Sequence, residues 1–181
     1  GLDARNKKEL ARIPDALKMV FSPNGSELVA AVPEKGALKN YYFDLDNNKK
    51  VGLPKEIENV IFSPDGGKIA YYFYDWAAGE GNVSVAEPDG RAAATIFRTR
   101  IKNLGLLWPE TNLIILYSAE NGKNQPLAFS MTPDGKEFQR ISGEELDSRL
   151  KGGPEKASVL QELGIETTDS ELSPLKDYLI F

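Results

Sequence analysis

"FSPNGSELVA" at residues 21–30 returns as "FSPDGGKIAY" at residues 62–71, with 41 positions between Pro23 and Pro64. The shared Ser-Pro-Asn/Asp-Gly core is a turn with a mechanism. Pro presets φ for the first central position, Asn or Asp tolerates the second, and Gly accepts the positive φ that follows. The apolar runs on either side then pair as an antiparallel hairpin. "LKMVFS" (17–22) and "ELVAAV" (27–32) are two strands, and "NVIFS" (59–63) and "KIAYYFY" (68–74) are two more.

The pattern continues along the chain. "LLWPETNLIILYS" (106–118) keeps the aromatic, the Pro and the apolar run, 45 positions further on, but lacks the Asp-Gly pair. "LSPLKDYLIF" (172–181) is a fourth copy after a longer gap, again without Asp-Gly. Each of the first three copies is followed by a second hairpin: "NYYFDLDNNKKVGL" (40–53), "NVSVAEPDGRAAATIF" (82–97) and "PLAFSMTPDGKEFQRI" (126–141). Four antiparallel strands in about 41–45 residues is the sequence signature of a β-propeller blade. The strand composition agrees. Ile69, Tyr71 and Phe73 point one way, Ala70, Tyr72 and Tyr74 the other, and Leu113–Tyr117 is apolar on both sides. A sheet open to water would alternate with polar residues, whereas a blade between blades needs two apolar faces.

The expected fold is therefore all-β, a propeller of four-stranded antiparallel blades over about 17–54, 58–98 and 103–141. Phe21, Phe62, Ile69, Tyr71, Ile114 and Leu116 are the expected core. Residues 142–169 break the strand period and predict a helical insertion, strongest over 142–164. Ser142 stands at a capping position with Glu145 three residues on, and Pro154 and Gly164 bracket a second helical segment. Residues 1–16 parallel the last two strands of a blade, and 170–181 the first two, so the terminal halves are complementary. Three arrangements satisfy this: a stretch of a longer propeller, a four-bladed ring closed on itself, or a homo-oligomer sharing blades between chains.

At "FSPNGSELVA", "FSPDGGKIAYYF" and "LSPLKDYLIF" the chain resembles the WD40-like repeats of TolB-type β-propellers. The resemblance implies an exported bacterial protein, periplasmic or at the cell surface, acting as a scaffold or recognition module. Its signal or anchor is expected outside this chain, because "GLDARNKKEL" has no apolar signal region. The rival expectation is a gating propeller of a prolyl-oligopeptidase-like hydrolase whose catalytic domain lies elsewhere. A carbohydrate-active propeller would need carboxylates converging on one face.

Composition narrows the chemistry. The net charge of −5 gives no broad basic character for nucleic acid, and no apolar run is long enough for a transmembrane helix. Cys and His are both absent, which excludes disulfides, thiol nucleophiles, Cys- or His-based zinc sites and a Ser-His-Asp triad. No cofactor, metal or catalytic residue is expected, and the chain reads as a non-enzymatic module for a protein or cell-envelope polymer. Glu144 and Glu145 read as first-turn charges facing a helix dipole.

Three polar segments compete for a role. "DLDNNK" (44–49) places Asp44, Asp46 and Asn48 as a calcium loop begins, but Lys49 and Lys55 stand where that loop needs Gly and Glu, so it reads as a hairpin turn. "FRTRIK" (97–102) groups Arg98, Arg100 and Lys102 by alternation, either as a charge-protected strand edge or as an anion or acidic-partner contact. "YDWAAGEGN" (74–82) joins a phenol, a carboxylate and an indole in a flexible connection. Tyr74, Asp75 and Trp76 are the expected partner contact, the alternative being that Trp76 folds back over the blade edge.

Overall fold

The computed structural model describes residues 13, 15–54, 57–118 and 127–150. Among the described residues, twelve strands form three separate four-stranded antiparallel sheets, each in simple sequence order. The first holds β1 (Lys18–Phe21), β2 (Glu27–Glu34), β3 (Ala37–Asp44) and β4 (Lys49–Gly52). The second holds β5 (Ile57–Phe62), β6 (Ile69–Asp75), β7 (Glu80–Ala86) and β8 (Ala94–Thr99). The third holds β9 (Gly105–Glu110), β10 (Leu113–Ser118), β11 (Leu127–Met131) and β12 (Gln139–Ile141), followed by helix α1 (Gly143–Arg149). The expected second helical segment at 154–164 and the half-blade at 170–181 lie outside the described residues, as does nearly all of 1–16.

The repeated turn is a hydrogen-bonded box. The Ser63 hydroxyl donates to Asp65 Oδ1 at 2.6 Å and accepts from Lys68 N at 2.9 Å. Asp65 Oδ1 also takes Gly67 N at 3.0 Å, and Gly66 N closes the turn on Ser63 O at 2.8 Å. Gly66 sits at φ +74°, where a side chain would be strained. Ser22 and Asn24 build the same box in the first sheet, and Thr132 and Asp134 build one between β11 and β12. A hydroxyl and a backbone N–H on one carboxylate favour its charged form, so Asp65 is held below the ordinary Asp value, Ser63 being the larger cause.

Stacking follows from the two apolar faces. Val29, Tyr42 and Leu53 of the first sheet pack with Ile57, Phe62, Ile69 and Tyr71 of the second. The opposite face of the second sheet, with Ala70, Tyr72, Tyr74 and Val83, meets Leu106, Trp108, Ile114 and Leu116 of the third. The far face of the third sheet, Leu107, Ile115, Ala128 and Ile141, is covered by Leu146 and Leu150 at and just beyond α1. The helix starts as expected, with Ser142 Oγ accepting from Glu145 N at 3.1 Å. The first strands of neighbouring sheets touch, β1 with β5 and β5 with β9. Lys18 Nζ donates to Asn59 Oδ1 at 2.8 Å and Asn59 Nδ2 to Leu104 O at 2.8 Å, which stitches these inner positions across three sheets. The sheets therefore fan out from a line near their first strands.

Five of the six expected core residues are buried: Phe62, Ile69, Tyr71, Ile114 and Leu116. Phe21 is not; it is 52% exposed. Its counterpart Phe62 points at the first sheet, but Phe21 lies opposite Leu28 on the side of the first sheet that faces away from the second. No other described sheet lies there, so repeat position alone misjudges its burial. Phe62→Ala should therefore cost about 3–5 kcal/mol as a core truncation, and Phe21→Ala at most about 1 kcal/mol; the two denaturant midpoints in the isolated chain check the difference. In the turn, Asp65 should titrate below the ordinary Asp value of about 3.9, and Ser63→Ala should raise it. Because the folded-state pKa is depressed, this carboxylate's contribution is present above the ordinary value and lost as pH falls through the folded one. Carboxyl-carbon NMR against pH reads both.

Candidate functional site

Connections at one end of the sheets bring together two segments that lie far apart in sequence. β6 and β8 run parallel within their sheet, so the β6–β7 hairpin tip and the β8–β9 connection lie at the same end. The tip is a tight turn held by Asp75. Its Oδ1 accepts from Ala77 N at 2.9 Å and Ala78 N at 3.0 Å, and its carbonyl accepts from Gly79 N at 2.8 Å. With its carboxylate so engaged, Asp75 orders the loop. Tyr74 is buried, packed between the second and third sheets. Trp76 stands on the tip, 69% exposed, with its ring edge-on to Tyr74 at 4.8 Å between centroids. Of the three residues expected to form the contact, only Trp76 is presented openly to solvent. Tyr74 braces it from below, and Asp75 fixes the turn that carries it.

The other segment supplies charge. Lys102 Nζ lies 4.9 Å from the Trp76 ring centroid and 5.9 Å from that of Tyr74, within reach of a cation–π attraction. Arg98, at the end of β8, reaches Glu80 at the start of β7 at 3.5 Å, and Arg100 is exposed between them in sequence. The indole and the basic cluster read as separate features in the sequence; in space Lys102 joins them.

A strut holds this junction. The Tyr72 hydroxyl donates to Ile101 O at 2.6 Å, and Ile101 N donates to Thr99 Oγ1 at 3.0 Å. Burial is the main cause that keeps the Tyr72 phenol protonated far above its ordinary range. To reach Ile101 the Tyr72 ring crosses Gly81, where an added Cβ would lie 2.6 Å from Tyr72 Cε2. The only sequence signal for this strut was a Gly inside a strand, which marks close approach without naming what approaches.

The other polar segments differ. Asp44 closes its own hairpin, accepting from Asn47 N at 2.9 Å and Asn47 Nδ2 at 2.7 Å. Among the described residues no group of three or more acidic side chains is placed to hold a metal. A cleft of about 370 Å³ lies beside the third sheet, lined by Asn112, Ser130, Phe138 and Arg149 among others. Arg149 there is paired with Glu145 at 2.7 Å.

Comparison with solved structures places this architecture. A putative TolB from Agrobacterium tumefaciens superposes with a TM-score of 0.51 at 16% identity, over 72% of this chain and 50% of that one. The β-propeller domain of the Trilobed protease from Pyrococcus furiosus gives a TM-score of 0.55 at 14% identity, over 71% and 44%. Acylaminoacyl peptidase from Pyrococcus horikoshii gives 0.52 at 13% identity, over 71% and 25%. The fold is that of a β-propeller. This chain spans half or less of the length of each of these structures. No family model and no curated protein matches the sequence. The three sheets are propeller blades with their first strands innermost, and the Trp76 junction lies on the face formed by second-to-third-strand loops and blade-to-blade connections.

Gly81→Ala should push Tyr72 off Ile101. The expected result is a loss of about 2 kcal/mol or more from strain in a packed site, with the Trp76 emission altered because Lys102 shifts. Tyr72→Phe keeps the packing and leaves one carbonyl unpaired, at a cost of about 1–3 kcal/mol. Unchanged melting and emission in both variants would show that the Tyr72–Ile101 contact holds neither the fold nor the junction.

Proposed function

We propose that this chain is a non-enzymatic recognition propeller that binds a protein or cell-envelope partner through the face carrying Trp76. The observation that carries the reading is a large indole left open on a turn that Asp75 closes with hydrogen bonds to Ala77 and Ala78. An exposed aromatic on a rigid turn offers contact area at low entropic cost, the usual form of an interface anchor. The blades carry the stability, and the loops carry recognition. Likeness to a TolB supports an extracytoplasmic setting for such a module. No helix among the described residues is long and apolar enough to cross a membrane.

A second reading, a gating propeller for a hydrolase, draws on the likeness to the two protease structures. It places the same face beside a catalytic domain in a longer chain and requires that domain to be found in the gene.

The test is comparative. The full chain and its Trp76→Ala variant are immobilised and offered the same envelope fraction, and both are melted in solution. The expected outcome is at least a fivefold loss of retained partner with the melting temperature unchanged. Equal retention, or retention kept while melting falls sharply, would show that Trp76 only covers the blade edge.

A further inference from the structure

We infer that the cleft beside the third sheet binds a neutral sugar residue, with Asn112, Ser130 and Gln139 hydrogen-bonding its hydroxyls. This site goes beyond the recognition reading above, because it lies at the end of the blades that carries the boxed turns, away from Trp76. Strand register builds its floor. Ser130 of β11 stands between Ile115 of β10 and Gln139 of β12, so the three side chains share a face of the third sheet. Ile115 packs with Leu146 and Leu150, so that face is the one α1 covers. The cover is partial. Beside Arg149, the last residue of the helix, a space of about 370 Å³ remains, lined also by Asn112 of the β9–β10 turn, Leu113 and Glu137. That volume falls within the roughly 300–1,000 Å³ of small-molecule sites.

The polar groups of the cleft are uncommitted. Ser130 is only 2% exposed, and nothing among the described residues bonds its hydroxyl. No fully enclosed polar side-chain atom among them lacks a partner, so the open part of Ser130 is the hydroxyl itself, at the cleft floor. Asn112 and Gln139 are exposed, and their amides are likewise unbonded among the described residues. Charge argues against an anion. Arg149 is paired with Glu145 at 2.7 Å and Glu137 adds a negative charge, so the cleft offers no net positive charge. A neutral polyol matches instead, since each of its hydroxyls both donates and accepts, as do the two amides and the serine. These groups converge from a turn, two strands and a helix end, which suits a compact ring with several hydroxyls. An extended peptide needs a row of partners along one edge.

The experiment titrates the full chain with methyl glucoside, methyl galactoside and methyl mannoside, with glucuronate and cyclohexanol as controls. The side-chain amide NMR signals of Asn112 and Gln139 report binding. At least one hexoside should shift both signals saturably, and both controls should bind more weakly than it does. Gln139→Ala should weaken that hexoside about fivefold or more with unchanged melting, the scale of one lost hydrogen bond. Ser130→Ala should do the same, because its hydroxyl bonds nothing among the described residues. No saturable shift with any hexoside, equal or tighter binding of either control, or full binding by both variants overturns the inference. Trp76-dependent retention of a partner is read at the opposite end of the blades, so the two readings fail separately.

Discussion

A strand that is apolar on both faces can rest on water on neither, and the arrangement of this molecule follows from that constraint. β6 places Ile69 and Tyr71 against the first sheet and Ala70, Tyr72 and Tyr74 against the third. A large apolar side chain contributes roughly 1.5–3 kcal/mol when fully withdrawn from water. A two-layer sandwich would satisfy one face and strand the other. Repetition of sheet upon sheet satisfies both, and the same logic explains α1. The far side of the third sheet is as apolar as its near side, and Leu146 and Leu150 cover it where the repeat gives way to helix.

The stack has a direction, which the turns reveal. Gly66, in the second sheet's first turn, lies against Pro23 and Ser22 of the first sheet, with 3.7 Å from its would-be Cβ to Pro23 Cδ. Gly90, in that sheet's other turn, lies against Leu53 of the first sheet, and Gly135 of the third lies against the backbone of Ile96 in the second. Each sheet reaches back to the one before it. Lys49 and Asp89 add a charge pair in the same place at 3.3 Å, and Phe138 stacks on Phe97 at 4.8 Å. Gly25 of the first sheet has nothing within 4 Å of its would-be Cβ, and Leu17, Met19 and Phe21 are exposed on that sheet's outer face. Phe21 and this open turn both lie on the side of the first sheet that faces away from the second.

Much of this was legible because it is local. Ser-Pro-Asp-Gly writes its own turn, alternation writes the two faces, and a 41-residue period writes the stacking. Helix α1 was legible at its start, where Ser142 caps. What could not be read was any contact between residues far apart in sequence with no pattern joining them. Asn40 Nδ2 donating to Ile57 O at 3.1 Å, Tyr72 reaching Ile101, and Lys102 over Trp76 all cross from one hairpin or sheet to another. The candidate site was therefore half visible. Trp76 announced itself as an aromatic in a Gly/Ala loop, while the cation beside it looked like strand-edge protection. Tyr74 is placed differently, buried beneath the indole. A phenol beside an indole suggested a pair of contacts, but strand alternation had already assigned Tyr74 to the interior face with Ala70 and Tyr72.

The division of labour between the two ends of the blades makes the Trp76 junction separable from stability. The boxed turns lie at one end, where backbone, hydroxyl and carboxylate close on each other and three glycines contact a preceding sheet. At the other end Trp76, on the hairpin tip, packs edge-on against Tyr74 and lies beneath the Lys102 ammonium. A change at the first end must propagate through packed cores. A change at the second alters a surface that packing does not need. Order at that tip comes from Asp75 and from the Tyr72 strut, so the indole is held still without being buried. Rigidity at an exposed aromatic lowers the entropy lost when a partner binds. A loop selected only to link β6 to β7 would have no physical reason to combine that order with an open indole.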